Sequence, residues 1–335
     1  MFEGYRVVCV TPAGRRRYMK LLAPLVLSAP LVDRYDIWLN TDDAGDLAFL
    51  EEIRRLAPDR VRLVPQPDGK EPGWGAIHGF ARTAQDTDTI YIRLDDDIVW
   101  LEPGFFETLL RFRVDQPRFF LVSPLVINNA LCSHILLTCR KIATSRFVGA
   151  ICMDAVGWRE AEFAVALHRL LLDLARRGET HRLHCGAREI AMNRFSVNVI
   201  CWFGRDMAAI GGEVGPAEEE ELSNIIPARL GRANCFCTDT VAAHFAFYIQ
   251  RDVVDRAGLL EEYVALLRGR DELRPLLEPC LAICSRLDES HPPVEPPPAK
   301  KPRGPRAILR RIVRPLLWLA PKPRKPTALS PGPAL

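Results

Sequence analysis

Residues 90–100 read Ile-Tyr-Ile-Arg-Leu-Asp-Asp-Asp-Ile-Val-Trp. The alternation of Ile90, Ile92 and Leu94 predicts a strand, and Asp95, Asp96 and Asp97 follow it directly. Open α/β sheets bind ligands beyond the carboxyl ends of their strands, where these acids would lie. Three adjacent carboxylates repel one another and are costly to desolvate unless a cation holds them. Hard divalent ions favour carboxylate oxygens, and Mg²⁺ is commonly shared between one or two carboxylates and substrate phosphates. The stretch therefore predicts a metal and diphosphate site. The competing reading is a solvated turn before a helix, because Pro103 and then Phe105, Leu109 and Phe112 follow at helical spacing.

Upstream, Arg6 to Val10 predicts a first strand that ends in the loop Thr11-Pro12-Ala13-Gly14-Arg15. Tyr35 to Leu39 predicts a second, ending in Asn40-Thr41-Asp42-Asp43. Helical spacing over 46–56, a short strand over 61–64, a loop to Gly75 and a helix over 76–84 complete the approach to the aspartates. Strands alternating with helices imply βαβ units and a mostly parallel sheet. Downstream, strands are expected over 119–126, 195–203 and 240–249, and helices over 160–177, 255–268 and 272–286. Residues 211–224 form a Gly- and Glu-rich loop opening a helix.

A chain of 335 residues that is 48% hydrophobic can bury one large α/β core or two small ones. The net charge of +3 hides an asymmetry, because residues 296–335 hold ten Lys and Arg and no acid, leaving the remainder at −7. An acidic body argues against nucleic acid as a partner and moves attraction for anionic surfaces into the tail. Of the 27 prolines, 13 lie between residues 292 and 333, which marks a linker and tail. Within the tail, Ile308, Leu309, Ile312, Val313, Leu316 and Leu317 oppose Arg306, Arg310, Arg311 and Arg314. This basic amphipathic stretch suits an anionic membrane interface, with a docked or unstructured segment as the alternative.

The ten cysteines show no disulfide framework and read as reduced, buried thiols. His181, His184, Cys185, Cys235 and Cys237 lack zinc-site spacing. The 12-residue apolar run over 21–32 contains two prolines and is too short for a membrane span, so it reads as a buried helix. No secretory signal opens the sequence, and a cytoplasmic location is expected, peripheral at the inner face of a membrane if the tail binds there.

The three strand-end loops, in the order Thr11 to Arg15, Asn40 to Asp43 and Asp95 to Asp97, resemble those of a GT-A-type glycosyltransferase. They are similar to bacterial family 2-like enzymes of surface polysaccharide synthesis. The resemblance covers roughly residues 5–250. It implies an α/β, GT-A (Rossmann-like) fold: a mostly parallel sheet flanked by helices, with a small mixed acceptor region and a Pro-rich C-terminal tail. It implies a catalytic domain over 1–288, divided into a nucleotide-sugar half (5–125), an acceptor half (126–250) and a helical end (251–288). A linker over 289–305 and a basic amphipathic tail over 306–335 follow.

By the same resemblance, Thr11, Pro12, Arg15, Asp42 and Asp43 contact the nucleotide. Asp95 and Asp97 form the Asp-x-Asp pair, with Asp97 on the metal, Asp95 on ribose or the metal, and Asp96 able to do either. His244 stands where a late metal ligand is expected, Mn²⁺ suiting imidazole better than Mg²⁺ does, although a lone His on an apolar strand also suits a core. Arg15 offers a planar fork for phosphate oxygens, while at least two of Arg15, Arg16 and Arg17 are expected on a solvated face. An acidic pair opening a helix implies Glu219 or Glu220 as the base that deprotonates the acceptor hydroxyl. Trp74 and Trp202 are open between stacking on sugars and packing in the core. His78, Asn128 and Asn129 are further polar candidates for pocket walls.

The implied activity is metal-dependent transfer of a sugar from a nucleotide-sugar donor, UDP by default, to a hydroxyl of a glycan or lipid-linked acceptor, with inversion. Two alternatives remain at this point. Asp95-x-Asp97-x-Val99 also matches haloacid dehalogenase-like phosphatases, with Asp95 as nucleophile. A non-catalytic, glycan-binding member of the transferase fold is the other.

Overall fold

The computed structural model describes residues 1–190, 193–292 and 330–331. The predicted basic tail, apart from Ser330–Pro331, and most of the linker lie outside the described residues. β1 (Arg6–Ala13), β2 (Arg34–Leu39), β3 (Val61–Val64) and β4 (Thr89–Leu94) are joined by α1 (Arg16–Leu27), α2 (Ala44–Leu56) and a 3₁₀ turn over Ile77–Thr83. After the aspartates come β5 (Ile98–Leu101), α3 (Phe105–Asp115), β6 (Val122–Ile127), α4 (Ala130–Thr138) and the two-residue β7 (Ile142–Ala143). The chain continues through α5 (Ala161–Arg176), β8 (Ala187–Ile190), β9 (Val199–Phe203) and the short α6 (Gly204–Ala208), α7 (Glu218–Glu220) and α8 (Ile226–Leu230). β10 (Asn234–His244), α9 (Arg251–Arg256), α10 (Leu259–Arg268) and α11 (Arg274–Ser290) close the body.

Nine strands form one sheet in the order β3-β2-β1-β4-β9-β6-β10-β5, with β8 also on β10. β3, β2, β1 and β4 are parallel neighbours, β9 is inserted antiparallel between β4 and β6, and β10 again runs parallel to β6. The fold is therefore the expected α/β class, a mostly parallel sheet flanked by helices. Its order has a local consequence for the site. The carboxyl ends of β1, β4, β6 and β10 lie on one edge, and the reversed β9 brings its amino end to that same edge.

β4 is buried on both faces, as a central strand must be. Ile90, Ile92 and Leu94 fill one side, while Tyr91 on the other stacks on Trp202 at 5.6 Å. Gly14 turns the chain from β1 into α1, and a Cβ there would lie 2.9 Å from the Asn40 carbonyl oxygen, so only glycine lets the two strand-end loops approach. Asp43 caps α2, its Oδ1 accepting from Asp46 N at 2.8 Å, and Asn129 caps α4 in the same way. Gly258, at φ 69°, divides α9 from α10 where one helix was expected.

Several predicted boundaries shift for identifiable reasons. β1 continues three residues past Val10, so Thr11 and Pro12 belong to the strand rather than to a loop. The predicted helix over 21–32 begins at Arg16 and stops at Leu27, ahead of Pro30. The last predicted strand stops at His244 because the chain turns there: Phe245 N donates to the Asp97 carbonyl and Gln250 N to that of Phe247, both at 2.9 Å. Neither β5 nor α4 was predicted. No helix among the described residues is long and apolar enough to cross a membrane.

Candidate active site

The three aspartates are held by two arginines. Arg15, just beyond β1, donates through Nε to both oxygens of Asp96 at 3.0 and 3.1 Å, and its Nη1 lies 2.9 Å from Asp97 Oδ2. Gly14 N adds a bond to Asp96 Oδ2 at 2.9 Å. Arg93, buried in β4, donates to Asp95 Oδ1 at 2.9 Å with one arm and to Glu218 Oε1 at 2.7 Å with the other. Paired charges of this kind can stay buried where isolated ones cannot.

His244 closes the group from β10. Its Nδ1 faces the Asn128 carbonyl at 3.1 Å, and since a carbonyl only accepts, that nitrogen carries the proton. Its Nε2 faces Asp97 Oδ2 at 3.4 Å. Asn198, at the amino end of β9, receives Asp95 N through its carbonyl at 2.8 Å and is itself held by Asn129 at 3.0 Å.

These contacts push the two outer aspartates apart. Burial raises the Asp95 pKa to about 6, with the neighbouring Asp97 and Glu218 charges adding to it against Arg93. Burial acts on Asp97 in the same sense, but Arg15 and His244 outweigh it and hold that carboxyl well below the usual range. Burial lowers and Asp97 raises the His244 pKa, and the net shift is upward.

A second acidic centre lies on α7. Glu219 Oε2 accepts from Arg194 Nη2 at 2.8 Å and lies 3.6 Å from Cys152 Sγ. Burial pushes the Cys152 thiol up to about 11, so it remains a neutral donor. Glu220 accepts from Asn224, in the π turn that follows α7, at 2.7 Å, and Glu218 faces Arg93. The run of four glutamates is thus split, with Glu218 turned to the aspartates and Glu219 to the loop that carries Cys152.

The remaining candidates separate clearly. Trp74 is 84% exposed on a loop tied down where Gly73 N meets Asn40 Oδ1 at 2.9 Å. Trp202 is only 2% exposed in β9 and donates to the Ala84 carbonyl at 3.1 Å, so it is a core residue and not a sugar platform. The Thr11 hydroxyl is buried and accepts from Tyr35 at 2.9 Å, while Pro12 lies in the same buried strand. Asp42 is exposed, but Asp43 is engaged in capping α2 and pairing with Arg16.

Of the three arginines expected near a solvated face, Arg16 is buried against Asp43, Asp46 and Asp288, while Arg17, 41% exposed, pairs with Asp255. These pairs fasten α1 to α2, α9 and α11. His78 is buried beside Lys70, and Asn128 lies in β6's turn with φ 61°. His184 bonds Glu102 at 3.0 Å. Two cavities of about 540 and 630 Å³ meet around Glu102 and Arg270, but none of the aspartates lines either.

Sequence reasoning missed Arg93, Asn198, Arg194 and Cys152. An arginine inside an otherwise apolar strand is a signal for the first. The other three depend on β9 and on the 150s loop reaching the same edge.

Among the described residues, no three His, Cys, Asp or Glu side chains converge on one point. Asp97 and His244 do converge, and the residues fit a divalent cation by donor type: one ionised carboxylate and one imidazole whose tautomer is fixed by a backbone carbonyl. Two protein ligands are a normal complement where substrate phosphates supply the rest. In the structure, the Arg15 guanidinium supplies positive charge at Asp97.

No family model and no curated sequence matches the chain. Solved structures do. The mannosyltransferase PcManGT from Pyrobaculum calidifontis, in complex with GDP-Man and Mn²⁺, aligns with TM-score 0.45 and 13% identity over 94% of this chain and 81% of that one. The glucosyl-3-phosphoglycerate synthase of Mycobacterium tuberculosis, in complex with Mn²⁺, UDP-Glc and phosphoglyceric acid, aligns with TM-score 0.43 and 14% identity over 84% and 80%. A 4-diphosphocytidyl-2C-methyl-D-erythritol synthase from Anaerococcus prevotii aligns over 37% and 57%, with TM-score 0.29 and 10% identity. At these values the likenesses carry no functional argument, which rests instead on the residues of the site.

Proposed function

We propose that the protein is a GT-A-type glycosyltransferase that moves a sugar from a nucleotide-sugar donor to a hydroxyl of a glycan or lipid-linked acceptor. The observation that carries this reading is the assembly, on one sheet edge, of three aspartates with two arginines and His244, Arg15 and His244 meeting Asp96 and Asp97 while Arg93 meets Asp95. Asp97 and His244 would hold Mn²⁺ or Mg²⁺, which when bound neutralises the departing diphosphate.

Arg15 then has two roles. It shields Asp96 and Asp97 before donor binding, and its bidentate fork can turn to phosphate oxygens when they arrive. Arg93 fixes Asp95 for the ribose or the cation. Trp74 gives an exposed ring beside the β1 and β2 loops on which the base of UDP or another nucleotide can stack. Glu219 is the candidate base: its partner Arg194 is 40% exposed and free to swing away, whereas Glu218 is held by the buried Arg93 and Glu220 bonds Asn224. It would take the proton from the acceptor hydroxyl as that oxygen attacks the anomeric carbon, giving inversion. The catalytic body comprises residues 1–288, and α11 continues through Ser290.

The phosphatase alternative needs Asp95 free as a nucleophile, whereas its carboxylate faces Arg93 at 2.9 Å and Asn198 at 3.4 Å. The test is release of nucleoside diphosphate from a panel of UDP-, GDP- and dTDP-sugars in the presence of Mn²⁺. Release from one donor, abolished by Asp97→Asn in a folded variant, is expected. Release of inorganic phosphate from phosphorylated small molecules, with every nucleotide-sugar inert, would favour the phosphatase.

A further inference from the structure

The loop between β7 and α5 exposes large apolar side chains that no folding requirement explains. Phe147 is 83% exposed, Ile151 63% and Met153 54%. They alternate with inward residues: Val148 and Cys152 are buried, and the Asp154 carboxylate accepts from the backbone N–H of Gly149, Val156 and Gly157 at 2.8 to 3.0 Å. The outward side chains are thus presented by an internally bonded turn. A Cβ placed on Gly149 would lie 3.5 Å from the Phe147 ring and 3.7 Å from Ile151, so both flank one point.

This surface is continuous with the candidate site at two ends. Cys152 lies 3.6 Å from the Glu219 carboxylate. Trp158, at the far end of the loop, packs at 5.9 Å on both Phe247 and the exposed Tyr248, and the Phe247 ring lies 4.5 Å from that of His244. Its charge is net positive. Between residues 140 and 160 the cations are Arg140, Lys141, Arg146 and Arg159 and the acids are Asp154, which faces inward, and Glu160, which pairs with Arg146. Apolar side chains interleaved with cations suit a surface that is itself apolar below and anionic above.

We propose that residues 147–153, with Tyr248, dock on an anionic lipid surface and set the mouth of the site against it. Phe147, Ile151 and Met153 enter the acyl boundary while the cations meet lipid phosphates. The basic residues 300–325 lie outside the described residues, while Ser330–Pro331 pair antiparallel with Ile142–Ala143 beside this loop. That a lipid-borne acceptor thereby reaches Glu219 rests on the transferase reading, whereas docking itself does not.

The test is sedimentation of the full chain with phosphatidylglycerol-containing vesicles and with phosphatidylcholine vesicles. Binding to the anionic vesicles, weakened by salt, is expected, with a loss of about tenfold or more in the variant Phe147→Ser/Ile151→Ser/Met153→Ser. Leu56→Ser, an exposed apolar control on α2, should bind as the unmodified chain does. Should the triple variant fail to melt cooperatively, Phe147→Trp replaces it, and a blue shift of its emission on anionic vesicles is expected. No sedimentation of the unmodified chain, equal binding by the folded triple variant, or no shift with Phe147→Trp would overturn the proposal. So would a triple variant that loses self-association alone, since the patch would then belong to a second copy of the chain. Because no donor is present, transferase inactivity would leave these results unchanged.

Discussion

The two sides of the site are built in opposite ways. On the β1–β4 side every buried carboxylate has a cationic or backbone partner, and the strand ends that carry them are fixed by register in the sheet. On the side of α7 and the 150s loop the elements are short and the large apolar residues are exposed. A rigid edge that neutralises charge suits a ligand whose diphosphate is constant. An open, irregular rim suits a partner recognised by surface character.

The largest expected effect breaks or sharpens this division directly. Glu219→Gln should lower kcat by about 10²–10⁴-fold with donor affinity unchanged, and Glu220→Gln by far less. Equal losses in steady-state assays would remove the distinction between the two glutamates. Next, Arg15→Ala leaves the buried Asp96 and Asp97 without their main, half-buried partner and should cost about 3 kcal/mol in urea unfolding. Mn²⁺ should then restore more stability to that variant than it adds to the unmodified chain. An Arg15→Ala variant as stable as its parent, and indifferent to Mn²⁺, would show that the arginine and the cation do not serve the same charge.

Beneath the site, His168 bonds Tyr263 Oη at 2.7 Å and the Phe245 carbonyl at 2.8 Å, and burial lowers its pKa to about 4. An unfolded histidine takes its proton near pH 6.5, so as pH falls the unfolded state gains protons first. Stability should therefore decline between about pH 6.5 and 4, by up to about 3 kcal/mol from this residue. His168→Gln should flatten that part of the pH profile. The smallest effect belongs to Trp74→Ala, which should leave the melting temperature almost unchanged while weakening nucleotide binding by about three- to tenfold. Unchanged affinity in titration calorimetry would exclude Trp74 from the base site.

The same asymmetry governs what the sequence makes legible. β1, β2 and β4 carry short apolar runs that end in polar turns, so their existence and the role of their ends follow from local pattern. Arg93 stands out locally as a charge inside an apolar strand, but its role does not, because one of its partners, Glu218, lies 125 residues away. Asn198 is equally hidden, since only the insertion of antiparallel β9 between β4 and β6 turns its amino end to the site. Phe245 to Ile249 read as strand by composition, yet His244 ends β10 because the Asp97 carbonyl captures the next N–H. Trp74 and Trp202 had the same two readings in the sequence, and burial alone separates them. The exposed residues of the 150s loop have no period to recognise.

The most direct measurement is a thermal-shift titration of nucleoside diphosphates with and without Mn²⁺ on the unmodified chain and on Asp97→Asn. The account predicts that one nucleotide, at about 100 times its Kd, stabilises the unmodified chain by about 2.7 kcal/mol only when Mn²⁺ is present, and does not stabilise the variant. Nucleotide stabilisation that is independent of both Mn²⁺ and Asp97, or none with any nucleotide, would contradict it.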